Sequence, residues 1–196
     1  PRQLLDILIV TMTTFKQGLE VDVAFPSAAI HASLPEMLAN RGLKQLHISE
    51  TAKFAHTTYF FDGLREDAFP FEERILIPSR VDRDYVDSPE MRAADIAKAI
   101  MDRWDEYDFF VANLANADQV GHTGNFEATK RAVEELDRVV GVLSAHAILK
   151  GGTVCLTSDH GNAESKFDLL TGEVRTEHSV NPVPFYLVGN EWKLKK

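Results

Sequence analysis

Apolar and polar stretches alternate along the chain in the way that is typical of successive strands and helices. Short runs rich in Ile, Leu and Val predict strands, and longer segments with apolar residues three or four positions apart predict helices between them. The predicted strands are residues 4–12, 43–49, 74–78, 108–114, 153–157 and 184–188. Because parallel strands need crossover connections long enough to hold a helix, this alternation favours an α/β fold with a mostly parallel sheet and helices on both faces.

Capping residues and apolar spacing place the predicted helices. One helix is expected from about Ser33 to Arg41, and another over residues 51–61. The pair Ser88-Pro89 predicts a further start, because the serine oxygen can cap and proline is tolerated in a first turn. The longest helix begins near Phe126 and ends before Gly151. Its predicted apolar stripe, with Thr129 on the same face, is Phe126, Val133, Leu136, Val140 and Leu143.

Composition is that of a single globular domain over residues 1–196, with 44% hydrophobic and 26% charged residues. The net charge of −9 disfavours a nucleic-acid partner, whose phosphates need neutralising. The apolar runs are too short to cross a membrane, and without a basic region followed by an apolar run at the start we do not expect secretion. The one cysteine, Cys155, is expected to be a small buried residue of a strand. It fits a reducing compartment, and we expect the cytoplasm.

Unusual polar clusters follow several predicted strands. Lys53 comes after the second strand, Asp118 and His122 after the fourth, and Asp159 and His160 after the fifth, while His178 precedes the sixth. Since ligands of open parallel sheets bind beyond the carboxyl ends of the strands, these clusters mark the candidate active site.

The residue types in these clusters suit metal ions. Asp118 and His122, four residues apart, can meet on a helical turn or in a folded loop. Gly161 ends the strand before it, so that the adjacent Asp159 and His160 can reach a shared site. Mixed nitrogen and oxygen ligands favour manganese, zinc or iron. Two such ions can stabilise the attacking and leaving oxygens of a phosphoryl transfer.

Simpler interpretations exist for single residues. An Asp four positions before a His is common by chance, Lys53 alone reads as a solvated helix residue, and His56 more often packs or caps than catalyses. Three other histidines are interpreted as structural, and Asp6 lies at the wrong edge of the predicted sheet. Those three are His31, His47 and His146.

Four segments together resemble the cofactor-independent phosphoglycerate mutases, and they occur in that family's order. They are residues 48–56 (ISETAKFAH), 116–124 (NADQVGHTG), 157–164 (TSDHGNAE) and 178–184 (HSVNPVP). The resemblance runs from about Leu5 to the end of the chain. It implies an alkaline phosphatase-like fold and the interconversion of 3-phosphoglycerate and 2-phosphoglycerate in glycolysis, with two manganese ions and a phosphoserine intermediate.

The resemblance also implies roles for individual residues. Lys53 would hold the transferring phosphoryl group. One manganese ion would be bound by Asp118, His122 and His178 and the other by Asp159 and His160, with cobalt and zinc as alternative metals.

Other family features have no counterpart in this sequence. These are the N-terminal metal-binding aspartate motif, the nucleophilic serine motif and the inserted substrate-binding domain. Ser49, Ser158 and Ser179 lie near the predicted site but outside the nucleophile motif. We therefore expect the chain to be the C-terminal part of an incomplete phosphatase domain, partnered by the missing N-terminal half of the same protein and inactive alone.

Two alternatives stay open. One is phosphopentomutase or another hydrolase of the alkaline phosphatase superfamily, against which the segments 50–56 and 181–184 favour the mutase. The other is a non-enzymatic metal-binding module, which the absent nucleophile favours.

Overall fold

A computed structural model describes residues 7–14, 18–26, 28, 30–80 and 84–189. Within these ranges the strands are β1 (Val10–Thr11), β2 (Asp22–Val23), β3 (Gln45–Glu50), β4 (Glu72–Ile77), β5 (Phe109–Asn113), β6 (Val154–Thr157) and β7 (Phe185–Val188). The α-helices are α1 (Leu34–Ala39), α2 (Ala93–Asp102), α3 (Asn116–Gly121) and α4 (Phe126–Leu149). Single turns of 3-10 helix span Thr51–Lys53 and Trp104–Glu106, and a π-helix spans His56–Phe60.

The central sheet has three strands in the order β4-β3-β5, and both pairings are parallel. In the middle strand Ile48 lies opposite Ile75 of β4 and Ala112 of β5. All six residues of β3 are buried, which is expected for a central strand covered on both faces. The parallel arrangement predicted from the strand–helix alternation is confirmed.

Helices cover β3 on both faces, as predicted. Leu46 and Ile48 point to one face, where Ile48 packs against Ile96 and Ile100 of α2. The alternate residues Gln45, His47 and Ser49 point to the other face. There Gln45 Nε2 donates to the carbonyl of Pro35 in α1, and Ser49 Oγ lies 3.1 Å from Thr57 Oγ1 of the π-helix.

Strands β6 and β7 form a separate antiparallel pair within the described residues, so the protein combines parallel and antiparallel pairing. Cys155 of β6 lies opposite Leu187 of β7 and is exposed. The prediction that this cysteine is buried is therefore wrong. The reason is that, among the described residues, β6 pairs with one strand and is not an interior strand of a larger sheet.

Two predicted element boundaries are also wrong. Helix α2 begins at Ala93, because Ser88 Oγ donates to Glu90 and accepts from Arg80 instead of capping a helix, and Met91 has a left-handed φ of 46°. Of the strand predicted over residues 4–12, only Val10–Thr11 is a strand; residues 4–6 lie outside the described residues.

The long helix α4 begins and ends as predicted, but its buried face differs from the predicted stripe. Asn125 caps it by accepting from the Ala128 amide. Phe126 and Val133 are about half exposed, and the buried side chains are Ala128, Thr129, Ala132, Val139 and Ala147. The physical reason is that α3 packs against Ala128 and Ala132, whose small side chains permit a close approach, whereas α2 packs against Val139.

None of the described helices is long and apolar enough to cross a lipid bilayer.

Candidate metal centre

Three of the four groups of predicted site residues follow the end of a strand of the structure. After β3, one 3-10 turn carries Lys53. After β5, α3 carries Asp118, and His122 follows at its C-terminal end. Asp159 and His160 follow β6. An antiparallel bridge between Gly161 and Ser179 brings His178 to the same place, because the Ser179 amide donates to the Gly161 carbonyl.

Three of the predicted ligands lie in direct contact. Asp118 Oδ1 is 3.0 Å from His122 Nε2 and 3.2 Å from His178 Nε2, and the two Nε2 atoms are 3.0 Å apart. Ligand atoms about 2.1 Å from one cation are roughly 3.0–3.4 Å from each other in octahedral or tetrahedral geometry. The spacing of these three atoms therefore fits a single metal ion.

Hydrogen bonding supports the same interpretation. His122 Nδ1 lies 2.6 Å from the carbonyl oxygen of Thr176, which can only accept, so Nδ1 carries the hydrogen. In the neutral ring, Nε2 then presents its lone pair to the Asp118 carboxylate. Two acceptors at 3.0 Å need a proton or a cation beside them, and three convergent donor atoms suit a divalent metal.

His160 and Asp159 lie at the rim of this group. The His160 ring stacks on His178 with centroids 3.5 Å apart, and its Nε2 is 4.0 Å from Asp118 Oδ1. Asp159 Oδ2 is 3.4 Å from His160 Nε2, but 63% of the Asp159 side chain is exposed. The structure thus brings the two predicted ligand sets side by side.

Lys53 is buried, contrary to the simpler interpretation of a solvated helix residue. Its Nζ is 2.6 Å from Asp118 Oδ2. Burial by itself would raise the pKa of Asp118, but hydrogen bonding and attraction to Lys53, together with His122 and Asn162, outweigh it and lower the pKa to about 2. The carboxylate is therefore ionised and ready to bind a cation.

The other singled-out residues stay outside the Asp118–His122–His178 group. His56 is largely exposed beside Phe60. Partial burial of its ring and the positive charge of Lys53 lower its pKa. The three serine hydroxyls donate elsewhere: Ser49 to the Glu50 carbonyl, Ser158 to the His160 carbonyl and Ser179 to the Glu164 carboxylate.

Sequence reasoning missed a network of polar side chains behind the ligands. Asn162 donates to Asp118 Oδ1 at 3.3 Å, and Lys166 donates to Asn162 Oδ1 at 2.6 Å. Glu164 accepts from Ser179 and Asn181, and these hydrogen bonds overcome burial and lower the pKa of Glu164 to about 2. Asn162 and Glu164 lie in the recognised segment 157–164, but no spacing pattern distinguished Lys166.

A second cluster with metal-binding residue types is structural. His47, Asp62 and Glu72 come together beneath the π-helix, all with fully buried side chains. Arg74 already supplies the cation, since it donates to both Asp62 and Glu72. His47 Nδ1 lies 2.7 Å from the Thr57 carbonyl, so that nitrogen carries a hydrogen. The prediction that His47 is structural agrees with this arrangement.

The buried Asp62 predicts an unusual dependence of stability on pH. Burial, and then the adjacent Glu72 carboxylate, raise the pKa of Asp62 to about 7. Between about pH 4 and pH 7 the folded protein therefore holds a proton that the unfolded chain has released. The free energy of unfolding falls as the pH rises through this range, and the contribution of the bound proton is lost above about pH 7. Asp62→Asn mimics the protonated form. Its free energy of unfolding, relative to that of the native protein, should therefore rise by about 1 kcal/mol or more from pH 5 to pH 8.

Urea unfolding at pH 5 and pH 8 measures this gain. Asp137→Asn, on the exposed face of α4, is the matched control and should follow the native curve. Parallel pH dependences of the native protein and Asp62→Asn would contradict the prediction.

Comparisons with known proteins show which superfamily and which proteins the chain is similar to. A family model described as the metalloenzyme superfamily matches residues 19–196. The chain is 45% identical over 195 residues to the 2,3-bisphosphoglycerate-independent phosphoglycerate mutase of Clostridium botulinum, covering 98% of this chain and 38% of the relative. It is 46% identical over 184 residues to the corresponding mutase of Thermosynechococcus vestitus, covering 93% and 34%.

A solved structure is also similar. It is the Leishmania mexicana phosphoglycerate mutase at low cobalt concentration, with a TM-score of 0.83 and 28% identity, covering 91% of this chain and 35% of that chain. The chain thus spans about a third of the length of the proteins it matches. Its fold is that of part of an alkaline phosphatase-like domain, as the resemblance implied. The chain therefore belongs to the metalloenzyme superfamily, and it is similar to about a third of the length of 2,3-bisphosphoglycerate-independent phosphoglycerate mutases.

Proposed function

We propose that this chain forms part of a phosphoglycerate mutase that interconverts 3-phosphoglycerate and 2-phosphoglycerate in glycolysis. In this proposal Asp118, His122 and His178 bind one Mn²⁺ ion, and Asp159 and His160 bind a second. The observation that carries the proposal is the convergence of one carboxylate oxygen and two Nε2 atoms within 3.2 Å. The mixed nitrogen and oxygen set suits Mn²⁺, with Co²⁺ and Zn²⁺ as alternatives.

Lys53 is proposed as the residue that holds the phosphoryl group. Its ammonium lies at the edge of the ligand group, where 8% of the residue is exposed. A charge in such a water-poor place acts more strongly on developing negative charge than it would in bulk water. Bound metal ions would add Lewis-acid stabilisation of the same oxygens.

The proposed second metal has fewer ligands in this chain than the first. Asp159 and His160 supply two side chains, against three for the first metal. We propose that the remaining ligands, the nucleophilic serine and the groups that grip phosphoglycerate come from an N-terminal half of the same protein, which would be the partner of this chain. Ser49, Ser158 and Ser179 take no part, in keeping with their engagement in other hydrogen bonds.

Location follows from the same proposal. A glycolytic enzyme with one cysteine, exposed on β6, fits the reducing cytoplasm. A nucleic acid is not part of the proposed function, since the net charge is −9, and neither is a membrane, since the apolar runs are short.

A chimera tests the proposed activity. This chain replaces the matched segment of the Clostridium botulinum relative, with which it shares 45% identity. With Mn²⁺, the chimera should convert 3-phosphoglycerate to 2-phosphoglycerate, whereas the isolated chain should not. A coupled enolase assay measures the conversion. Lys53→Gln should lower kcat by about a hundredfold or more, because the positive charge that stabilises the transition state is lost. Lys130→Gln, on the exposed side of α4, should have no effect.

The outcome also separates the alternatives. A folded, metal-loaded chimera that isomerises pentose phosphates or hydrolyses phosphate monoesters, without acting on phosphoglycerates, would contradict the mutase assignment. A folded, metal-loaded chimera with no activity on any of these substrates would favour a metal-binding module.

A further inference from the structure

Lys166 is a lysine whose charged end is buried directly behind the ligand group. Only 3% of the residue is exposed. Its backbone is held by a bridge next to it between Phe167 and Val174, and its carbonyl accepts from the Arg175 amide. A buried ammonium loses its hydration, so specific hydrogen bonds must compensate for the lost hydration free energy.

The hydrogen bonds of Lys166 determine the orientation of a neighbouring amide. Nζ donates to Asn162 Oδ1 at 2.6 Å, and an ammonium can only donate. The carbonyl end of Asn162 must therefore face Lys166. The NH₂ end then faces Asp118 Oδ1 at 3.3 Å, where it can donate to the carboxylate. With the amide reversed, two acceptor oxygens would face each other at Asp118.

A second hydrogen bond joins Lys166 to the element that carries the ligands. Nζ donates to the Gly121 carbonyl at 2.7 Å, one residue before His122. Lys166 follows β6 in the chain, whereas Gly121 ends α3. The ammonium thus connects the segment of Asp159 and His160 to the helix that carries Asp118 and that His122 follows.

We propose that Lys166 is a positioning residue that orients Asp118 for metal binding through the Asn162 amide. The inference rests on the proposed function, in which Asp118 is a metal ligand. It makes a prediction opposite in sign to simple electrostatics. A positive charge near a cation site repels the cation, so removing the charge alone would strengthen metal binding. Removing an orienting hydrogen bond should weaken it.

Mn²⁺ titration calorimetry of Lys166→Met decides the sign. The methionine keeps the length of the side chain but has no donor. We expect Mn²⁺ affinity to fall about tenfold, which is the usual loss when a partner of a ligand is removed. Lys166→Gln, which keeps a polar neutral group if the methionine variant does not fold, should lose less. Lys130→Met on α4 is the control and should bind as the native chain does.

A double-mutant cycle tests whether the effect passes through Asn162. Asn162→Ala should weaken Mn²⁺ binding by a similar factor, and adding Lys166→Met to it should cause no further loss. Additive losses, or native or tighter binding in both Lys166 variants, would overturn the proposal.

A measurement without metal separates this inference from the proposed function. In the metal-free chain, Asp118→Asn should shift the side-chain NH₂ signals of Asn162 in a ¹⁵N NMR spectrum, and Lys166→Met should abolish that response. If the response persists in the Lys166→Met background, the positioning role is wrong even where Mn²⁺ binds. If the native chain binds no Mn²⁺, the proposed function fails, and the NMR result still decides the role of Lys166 in orienting the amide.

Discussion

Replacing Asp118 with asparagine is expected to weaken Mn²⁺ binding more than a hundredfold. Asp118 Oδ1 is within 3.2 Å of both His122 Nε2 and His178 Nε2, so it is central to the three-atom group. The amide that replaces it carries no charge. Removing even an indirect partner of a metal ligand costs 10- to 100-fold in affinity, and removing the only carboxylate of the group should cost more.

The same substitution should also destabilise the metal-free protein. Lys53 Nζ lies 2.6 Å from Asp118 Oδ2 and would lose its carboxylate while staying buried. A buried donor that loses its partner costs about 1–3 kcal/mol, and a charged one costs more. Calorimetric Mn²⁺ titration and urea unfolding of the metal-free chain measure the two effects separately.

Asp137→Asn is the matched control for Asp118→Asn, because it makes the same chemical change on the exposed face of α4. It should leave both Mn²⁺ affinity and unfolding unchanged. Binding by Asp118→Asn within about threefold of native would contradict the assignment of this carboxylate as a ligand. Loss of affinity in both variants would point instead to a general effect of net charge.

Gly121→Ala and Gly141→Ala should change stability in opposite directions, although both replace a glycine within an α-helix. Alanine is intrinsically favoured over glycine by roughly 1 kcal/mol in a helix. At Gly141 of α4 an added Cβ meets no atom within 4 Å, so stabilisation by about 0.5–1 kcal/mol is expected. At Gly121 of α3 the Cβ would lie 2.4 Å from Asn162 Oδ1.

Asn162 cannot easily move away from a Cβ at position 121. Its amide is held by Lys166 on one side and by Asp118 on the other. Overpacking of this kind costs about 1–3 kcal/mol. After subtraction of the helical preference for alanine of about 1 kcal/mol, Gly121→Ala should be destabilised by roughly 1 kcal/mol and should bind Mn²⁺ about tenfold more weakly. Urea unfolding of the metal-free chains tests the opposite signs. Equal stabilisation of both variants would mean that α3 does not approach Asn162 this closely.

Local patterns along the chain were sufficient to place most elements. The apolar segments around β3, β5 and β6 and the capped helix α4 lie where hydrophobic periodicity and capping residues predicted them. The five ligand candidates were found because each follows or precedes a predicted strand. Their roles as ligands stay a prediction, which Asp118→Asn tests in part.

Burial was predicted less well than element positions, for identifiable reasons. Cys155 lies in an apolar stretch, yet its exposure depends on which strands flank β6. Phe126 and Val133 belong to a regular stripe, yet the face of α4 that is buried depends on where α3 packs. Both properties are set by neighbours distant in sequence, which periodicity does not report.

The order of strands and helices, the parallel pairing and the residue types suited to a metal ion follow from short-range patterns, because strand and helix periods and side-chain chemistry are local properties. The fold alone determined that His178 meets His122, 56 residues earlier, and that Lys166 reaches Gly121, 45 residues earlier. These contacts depend on how separate strands and loops are packed together. A lysine or a histidine acquires such a partner only when folding brings segments that are distant in sequence into contact.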